Sequence, residues 1–577
     1  MSEIFKQSFP RSLDQLIEHY NNDAHRGATI EAWLFEDEAT RRAGERILAI
    51  HGITAHLRSA YKPLVHAVLE EIDLSDATAV EIAYPRHEVC TENRFRLETY
   101  PVAALCGDAE ISFVPGSETD FTYRLTVTHS TGAQTIHDIF APNRVHQDCI
   151  GETLVSPTGW LRVRDAQGNI LADGRLETEY EAAFHTTIDA IADHDWGDSE
   201  PYFNELNIRV TLPVSDQPLG IGDEVLSLRE ALHEDFYFSL LEFFQKKSGR
   251  PLGDRGLQPG QIVPEIIKAD GAPSVRVTLR DFDLAVISTP DQQLDQAQSA
   301  INPEQVIGEL GTISGEEFSA QSRAGRQILA RYHAGSDKAV MISGGQHPNE
   351  TSGVVGALRA AQTLNSRENS HFTISPLENP DGYALHQRLI QDNPRHMHHA
   401  ARYTALGDDL EYRKGANLLE KEIRVRAQEI SGAELHINLH GYPAHEWTRP
   451  LSGYVPRGFA MWTLPKGFFL ILRHHESATE RAEMLIDLVT KRLADVPGLL
   501  EFNAKQIKLY ETHAGEHGFR MINGFPCWVS IDDRHDVPIT LITEYPDETV
   551  YGDAFIAGHS AQMATVLAAY DAHQELS

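Results

Sequence analysis

His347 and Glu350 stand three residues apart in "MISGGQHPNETSGVVGALRAAQTL", residues 341–364, between an apolar run and an amphipathic one. On a tight turn, side chains at i and i+3 converge on one point, and imidazole plus carboxylate is a donor set that suits zinc. The alternative is a solvated histidine and a glutamate that favours the N-terminus of a helix. A third ligand separates the two. In "AELHINLHGYPAHEW", Leu435, Ile437 and Leu439 alternate with His436, Asn438 and His440, so one face is apolar and the other carries three polar groups. His440, at the C-terminal end of that strand, reaches the edge that holds His347. His436 lies roughly 13 Å further down at about 3.3 Å per residue, which assigns it a structural hydrogen bond within the sheet. Three protein ligands with an open fourth position make a zinc site of the catalytic type, one ion per chain.

The elements that must position these residues follow from periodicity. "KAVMISGG" is a strand by its apolar run, and "TSGVVGALRAAQTL" a helix with Val354, Leu358, Ala361 and Leu364 on one stripe. The histidine and glutamate therefore fall on a strand-to-helix turn at the C-terminal edge of a sheet, where open α/β folds place their ligands. The expected fold class is α/β. Residues 1–108 read as an N-terminal α/β region, with "ERILAIHG" as a strand and "SAYKPLVHAVLEEI" as a helix. Residues 109–290 read as a β-rich domain of short alternating stretches between Gly, Asp and Asn turns. It closes with the helix "SLREALHEDFYFSLLEFFQKK" and the strand "SVRVTLRDFDLAVIS". "TPDQQLDQAQSAINPEQ" is the linker-like boundary. Residues 300–577 alternate strands and helices, as a mixed, mostly parallel sheet with covering helices does. "ILAIHGITAHLRSAYKPLVHAVL" faintly echoes the strand–His–helix order but lacks the paired glutamate.

A chain of 577 residues is long enough for two or three domains. Hydrophobic content of 41% and charged content of 23% are those of a soluble globular protein. The net charge of −34 argues against nucleic acid or an anionic membrane as the main partner. The start has no apolar core of signal-peptide length and no later run spans a bilayer. The four cysteines, Cys90, Cys106, Cys149 and Cys527, form no CxxC pair and read as reduced cytoplasmic thiols. The expected location is cytoplasmic, and the sequence carries no signal for an oligomeric state.

"GGQHPNE", then "ENPDGYALHQR", then "INLHGYP" resemble, in order and spacing, the zinc metallocarboxypeptidases of the carboxypeptidase A family. The resemblance covers roughly residues 320–556, and "SRAGRQILARYHAG" is similar to the family's strand leading into the zinc loop. It implies a carboxypeptidase-like fold, zinc on His347, Glu350 and His440, and hydrolysis of a peptide or small amide. It further implies Glu544, in "VPITLITEYPDE", as general base, and Arg395, in "DNPRHMHH", as the oxyanion-stabilising arginine, with Arg388 the second choice. In "GDDLEYRKG", Arg413 aligns with the arginine that grips a substrate's terminal carboxylate, but Tyr412 stands where the family has Asn. The substrate-capping Tyr has no clear match in "GFRMINGFPCWVS". Hydrolysis of an amide is therefore a safer expectation than removal of a C-terminal amino acid.

Two other readings remain open. The zinc loop also resembles that of aspartoacylase- and desuccinylase-like deacylases of N-acyl amino acids, with "NPDGY" and the setting of Glu544 favouring the first family. A non-catalytic binding protein on a peptidase scaffold is the third, and the intact ligands and base weigh against it. His396, His398 and His399 crowd beside the expected site as substrate contacts, a second ion's ligands or a surface cluster. His513 and His517 stand at helical spacing, but in "HAGEHGF" two glycines weaken the helix.

Overall fold

The structure is a computed structural model describing residues 2–457 and 462–576. Its larger sheet has nine strands. The four central ones, Phe372–Ser375, Val340–Gly344, Leu435–Pro443 and Ile539–Glu548, run parallel. Every residue in them is buried, as expected of parallel strands covered on both faces. Outside them the pairing changes direction. Gln327–His333 and Glu316–Gln321 join antiparallel on one side. On the other side Phe469–His474 runs antiparallel to Ile539–Glu548. The sheet is thus mixed, parallel through its four central strands and with both senses of pairing outside them. Helices Ser352–Asn365 and Asp553–Glu575 cover it together, and their close approach needs small residues. A Cβ at Gly356 would lie 2.5 Å from Gln562 Cβ.

The N-terminal part holds three four-stranded sheets, and strands from before and after residue 108 pair with each other. Thr29–Leu34 lies beside Trp160–Arg164, and Ala77–Tyr84 beside Thr122–His129. The expected strand "ERILAIHG" is a correction. It falls in the helix Glu38–Ala49 and the turn after it, capped by Asp37, whose side chain accepts from Thr40 N. Arg41, Gly44 and Leu48 are its buried face, a helical spacing that outweighs the local apolar run, while Ile50 is 75% exposed. The echo of the metal loop at residues 47–69 goes with it, because His51 follows a helix and not a strand. The strand expected over 274–288 stops at Arg280. Among the described residues no helix is long and apolar enough to cross a membrane.

Helix Leu228–Lys247 joins the two halves. Ser227 caps it, and most of its charged residues are buried against the C-terminal half. Glu230 meets His445 at 2.7 Å, Glu242 meets Arg449 at 2.7 Å, and Glu234 pairs with His399. Asp235 accepts from Ser452 Oγ and Leu451 N. Buried charges of this kind hold only while both members are present, since removing one strands the other in a low dielectric. Burial alone would lower the His445 imidazole, but the Glu230 carboxylate outweighs it and raises it to about 9.

That value is above the ~6.5 of a free imidazole, so the pair's stabilisation is full below about pH 6.5 and is lost as pH rises through about 9. Up to about 3 kcal/mol depends on it. The expected outcome is that the wild-type melting temperature falls between pH 6.5 and 9.5 more steeply than that of His445→Gln. Parallel profiles for the two proteins in calorimetry would remove this role from the pair.

Candidate functional site

His347, Glu350 and His440 come together at the C-terminal ends of the central strands. The chain leaves Val340–Gly344 through Gly345, at φ +61°, where a Cβ would meet Leu377 Cδ1 at 2.8 Å. That turn carries His347 and Glu350 back over the sheet, and His440 rises from the neighbouring strand to meet them. His347 Nδ1 lies 3.0 Å from Glu350 Oε1, and His440 Nδ1 lies 2.9 Å from Glu350 Oε2. The two Nδ1 atoms are 3.0 Å apart. Among the described residues this is the group of His, Cys, Asp or Glu side chains able to hold a metal ion, and all three are buried.

The surrounding bonds decide the tautomers. His347 Nε2 faces Asp409 Oδ2 at 3.2 Å, and His440 Nε2 faces Gln346 Oε1 at 3.2 Å. Both acceptors require the proton on Nε2, which leaves both Nδ1 lone pairs bare and pointing at the Glu350 carboxylate. The two Nδ1 atoms and the Glu350 carboxylate, which also accepts from Arg402 Nη1 and Gly441 N, converge on one point, where a metal ion or a proton on an imidazole would satisfy them. The donor set fits zinc. Gln346 is itself held by Arg424 at 2.6 Å and by Asn438 at 2.9 Å, and gives its amide to Asp409 at 2.8 Å. Arg424 is fixed in turn by Glu378 and Glu411. Burial holds His440 down at about 4 despite Glu350, so the ring is neutral at ordinary pH. Burial opposes ionisation of Glu350, but His347, Arg402 and His440 together hold its carboxyl well below the usual range.

Beside this cluster opens a cavity of ≈ 710 Å³ lined by His347, Arg402, Asp409, His440 and Glu544. Glu544 sits in register with His440 on one side and Phe469 on the other. Burial first, and the Glu350 charge second, push its carboxyl well above the usual range. The opposite wall comes from the N-terminal half, through Tyr237, Phe238 and Glu242 of helix Leu228–Lys247 and through Arg255.

The arginines expected to act here are elsewhere. Arg395 is 61% exposed and pairs with Asp223 at 3.1 Å. Arg388 is taken by Glu205 at 2.9 Å and Glu265 at 3.1 Å. Arg413 is buried, with its fork filled by Asp408 and Thr404 and its third nitrogen by Glu420. None of the three lines the cavity. Each had a nearer carboxylate, and ion pairing settles where a guanidinium goes. Arg402 is the arginine that reaches the cluster, its Nη1 2.5 Å from Glu350 Oε1. Tyr412 does line the cavity, with Arg255 and Arg534 each 5.4 Å from its ring.

The extra histidines divide. His399 lines the cavity, whereas His396 is held by Asp216 and Ser227, and His398 by Asn393 O. His513 is packed against Thr99, and His517 lies 3.6 Å from Glu511; neither lines the cavity. Sequence reasoning missed Gln346, Arg402 and Asp409. Gln346 and Asp409 stand in stretches already quoted, beside a ligand and in "GDDLEYRKG", but no spacing rule singles them out.

No protein-family model matches the chain, and no curated protein matches it. Solved structures do. A metallo-carboxypeptidase from Burkholderia cenocepacia is 15% identical over 53% of this chain and 76% of its own, with a TM-score of 0.30. A carboxypeptidase A from Helicoverpa armigera is 11% identical over 53% and 90%, with a TM-score of 0.29. An aspartoacylase family protein from Mesorhizobium loti is 12% identical over 46% and 68%, with a TM-score of 0.24. Likeness at this level carries no argument about chemistry.

Because Asp409 fixes the proton of His347, Asp409→Asn is expected to weaken retention of a divalent ion by about 10–100-fold while the protein stays folded. A competition titration against a chelator measures it. Unchanged affinity would show that His347 is oriented by something else.

Proposed function

We propose that the chain is a zinc-dependent hydrolase of a peptide or small amide. One observation carries the reading: two bare imidazole lone pairs and a carboxylate meet at a point, 3.0 Å across, beside a second buried carboxyl in an open cavity. Held by His347, Glu350 and His440, zinc supplies Lewis-acid polarisation of a carbonyl and activation of a water. The remaining work belongs to the chain. Glu544, whose carboxyl burial pushes up, takes the proton of the attacking water and hands it to the leaving amine. Arg402, which burial would lower but which Glu350 raises, stays charged and faces the oxygen on which charge develops. Asp409 and Gln346 keep both ligand histidines in the metal-binding tautomer.

Substrate selection follows from the filled fork of Arg413. A terminal carboxylate bound in a closed pocket needs fixed donors, or its desolvation outweighs the contact. Arg413 has none to spare, so we assign recognition to the scissile amide and its flanks instead of to a C-terminal carboxylate at that residue. The same observation keeps a deacylase of N-acyl amino acids as the second reading. The substrate is not nucleic acid, and the −34 net charge supports that.

The testing experiment is metal analysis followed by hydrolysis of a panel of peptides and acyl-amino acids, with and without chelator. About one zinc per chain is expected, and chelation is expected to abolish turnover. Glu544→Gln is expected to keep the metal and lose about 10²–10⁴-fold in kcat. Turnover near the wild-type rate in that variant would move the base elsewhere. A separate comparison uses each amide with its C-terminus free and capped. Similar kcat/KM for the two forms is expected, and cleavage abolished by capping would mark a conventional carboxypeptidase.

A further inference from the structure

A second cavity of ≈ 300 Å³ lies behind the metal loop, at the size where small-molecule pockets begin. It is walled by helix Pro380–Leu389, by residues 547–551 after the strand that carries Glu544, and by residues 289–300 of the linker-like stretch. The polar side chains around it are unusual in one respect. Asn349 Oδ1, His386 Nδ1, Gln387 Nε2, His398 Nδ1 and Glu548 Oε1 all belong to residues lining this cavity, and among the described residues all lack a hydrogen-bond partner. Asn349, Gln387, His398 and Glu548 are each no more than 3% exposed. Buried polar atoms left unpaired are rare and costly, so a concentration around one cavity calls for a guest.

The chemistry of the guest follows from the sense of these atoms. His398 Nε2 lies 2.9 Å from the carbonyl of Asn393, so that nitrogen carries the proton and Nδ1 is an acceptor. Asn349 gives its amide to Glu548 Oε2 at 2.6 Å, which leaves the Asn349 oxygen and the other Glu548 oxygen as acceptors. Thr289 Oγ1 and Asp547 Oδ1, on two further lining residues, are also unpaired, so the carboxyls of Glu548 and Asp547 stand among the acceptors, against the Gln387 amide and the Thr289 hydroxyl as donors. Chloride, phosphate and carboxylates meet the wrong polarity here. A primary ammonium, with three N–H donors and a positive charge, meets the right one.

We propose that this cavity is a binding site for a small primary ammonium compound, held by Glu548, Asn349 and His398. Its place in the fold gives it a consequence. Asn349 stands between His347 and Glu350 in the chain, so a ligand on Asn349 and Glu548 braces the loop that supplies two of the three clustered side chains. The site is distinct from the main cavity and stands whether or not the chain hydrolyses amides.

The test is isothermal titration of the full chain, as purified, with n-propylammonium, n-propanol and propionate. Saturable one-to-one binding of n-propylammonium with a Kd near 1 mM, in the range expected for so few contacts, is the expected result. Glu548→Gln and His398→Phe are each expected to weaken it at least about tenfold, and Glu544→Gln, in the main cavity, to leave it unchanged. A crystal soaked in n-propylammonium locates the ligand independently of any variant's folding. Four results would overturn the proposal: no saturation at about 10 mM, equal binding of n-propanol, loss of binding in Glu544→Gln instead of Glu548→Gln, or ordered water alone in the cavity of the soaked crystal.

Discussion

Two imidazole lone pairs and a carboxylate directed at a single point repel one another unless something positive lies between them. That repulsion is the constraint around which the C-terminal half is organised. Left alone, His347 or His440 would take its proton on Nδ1 and bond to Glu350. Asp409 and Gln346 prevent this by claiming the Nε2 protons. Gln346 can do so because Arg424 and Asn438 fix its oxygen as the acceptor. The arrangement therefore extends two layers outward, from the histidines to Gln346 and Asp409 and from Gln346 to Arg424 with its two carboxylates. Parallel strands suit this purpose, because they deliver His440, Glu544 and the Gly344–Gly345 turn to one edge in register.

The cavity next to that point belongs to both halves of the molecule. Helix Leu228–Lys247 has charged and apolar residues buried on all sides, which a free-standing surface helix does not tolerate. Its acids are matched by His399, His445 and Arg449 from the C-terminal half. Each such pair loses hydration on both members, which offsets part of its attraction. The pairs also fix geometry, since Tyr237 and Phe238 ride on the same helix and line the cavity beside the cluster. The N-terminal half is in this sense a wall of the site, held at fixed distance by charge.

Much of this was legible in the sequence, and the reason is periodicity. The alternation in "LHINLHG" put His440 on the polar face at the end of a buried strand, and the glycine pair before His347 marked the turn. The run at 340–344 reads as a strand from its apolar residues, and 539–548 from the alternation of Ile539, Leu541 and Thr543 with Thr540, Ile542 and Glu544. Arginine positions were not legible. A guanidinium on a flexible stem reaches many carboxylates, and Arg388, Arg395 and Arg413 each found Glu205, Asp223 or Asp408 first. The helix Glu38–Ala49 failed for a related reason. Its local apolar run pointed to a strand, but its buried face includes Arg41, fully enclosed and paired with Glu70, and no hydrophobic pattern marks a buried arginine.

The titration behaviour of the carboxyls follows from the same geometry. Glu350 and Glu544 are both buried within reach of the same cluster, yet they are driven apart. Glu350 is held down by two imidazoles and Arg402, while Glu544 is driven up by burial and by the charge on Glu350 itself. Two neighbouring acids whose environments separate them in this way take different tasks. The one that stays ionised is fit to be a ligand, and the one reluctant to ionise is fit to accept and return a proton. Arg402 strengthens the division, because its contact with Glu350 leaves Glu544 without a forked cation of its own. The difference in titration between the two glutamates is therefore set by which strand end or loop each occupies, and by where one arginine pairs.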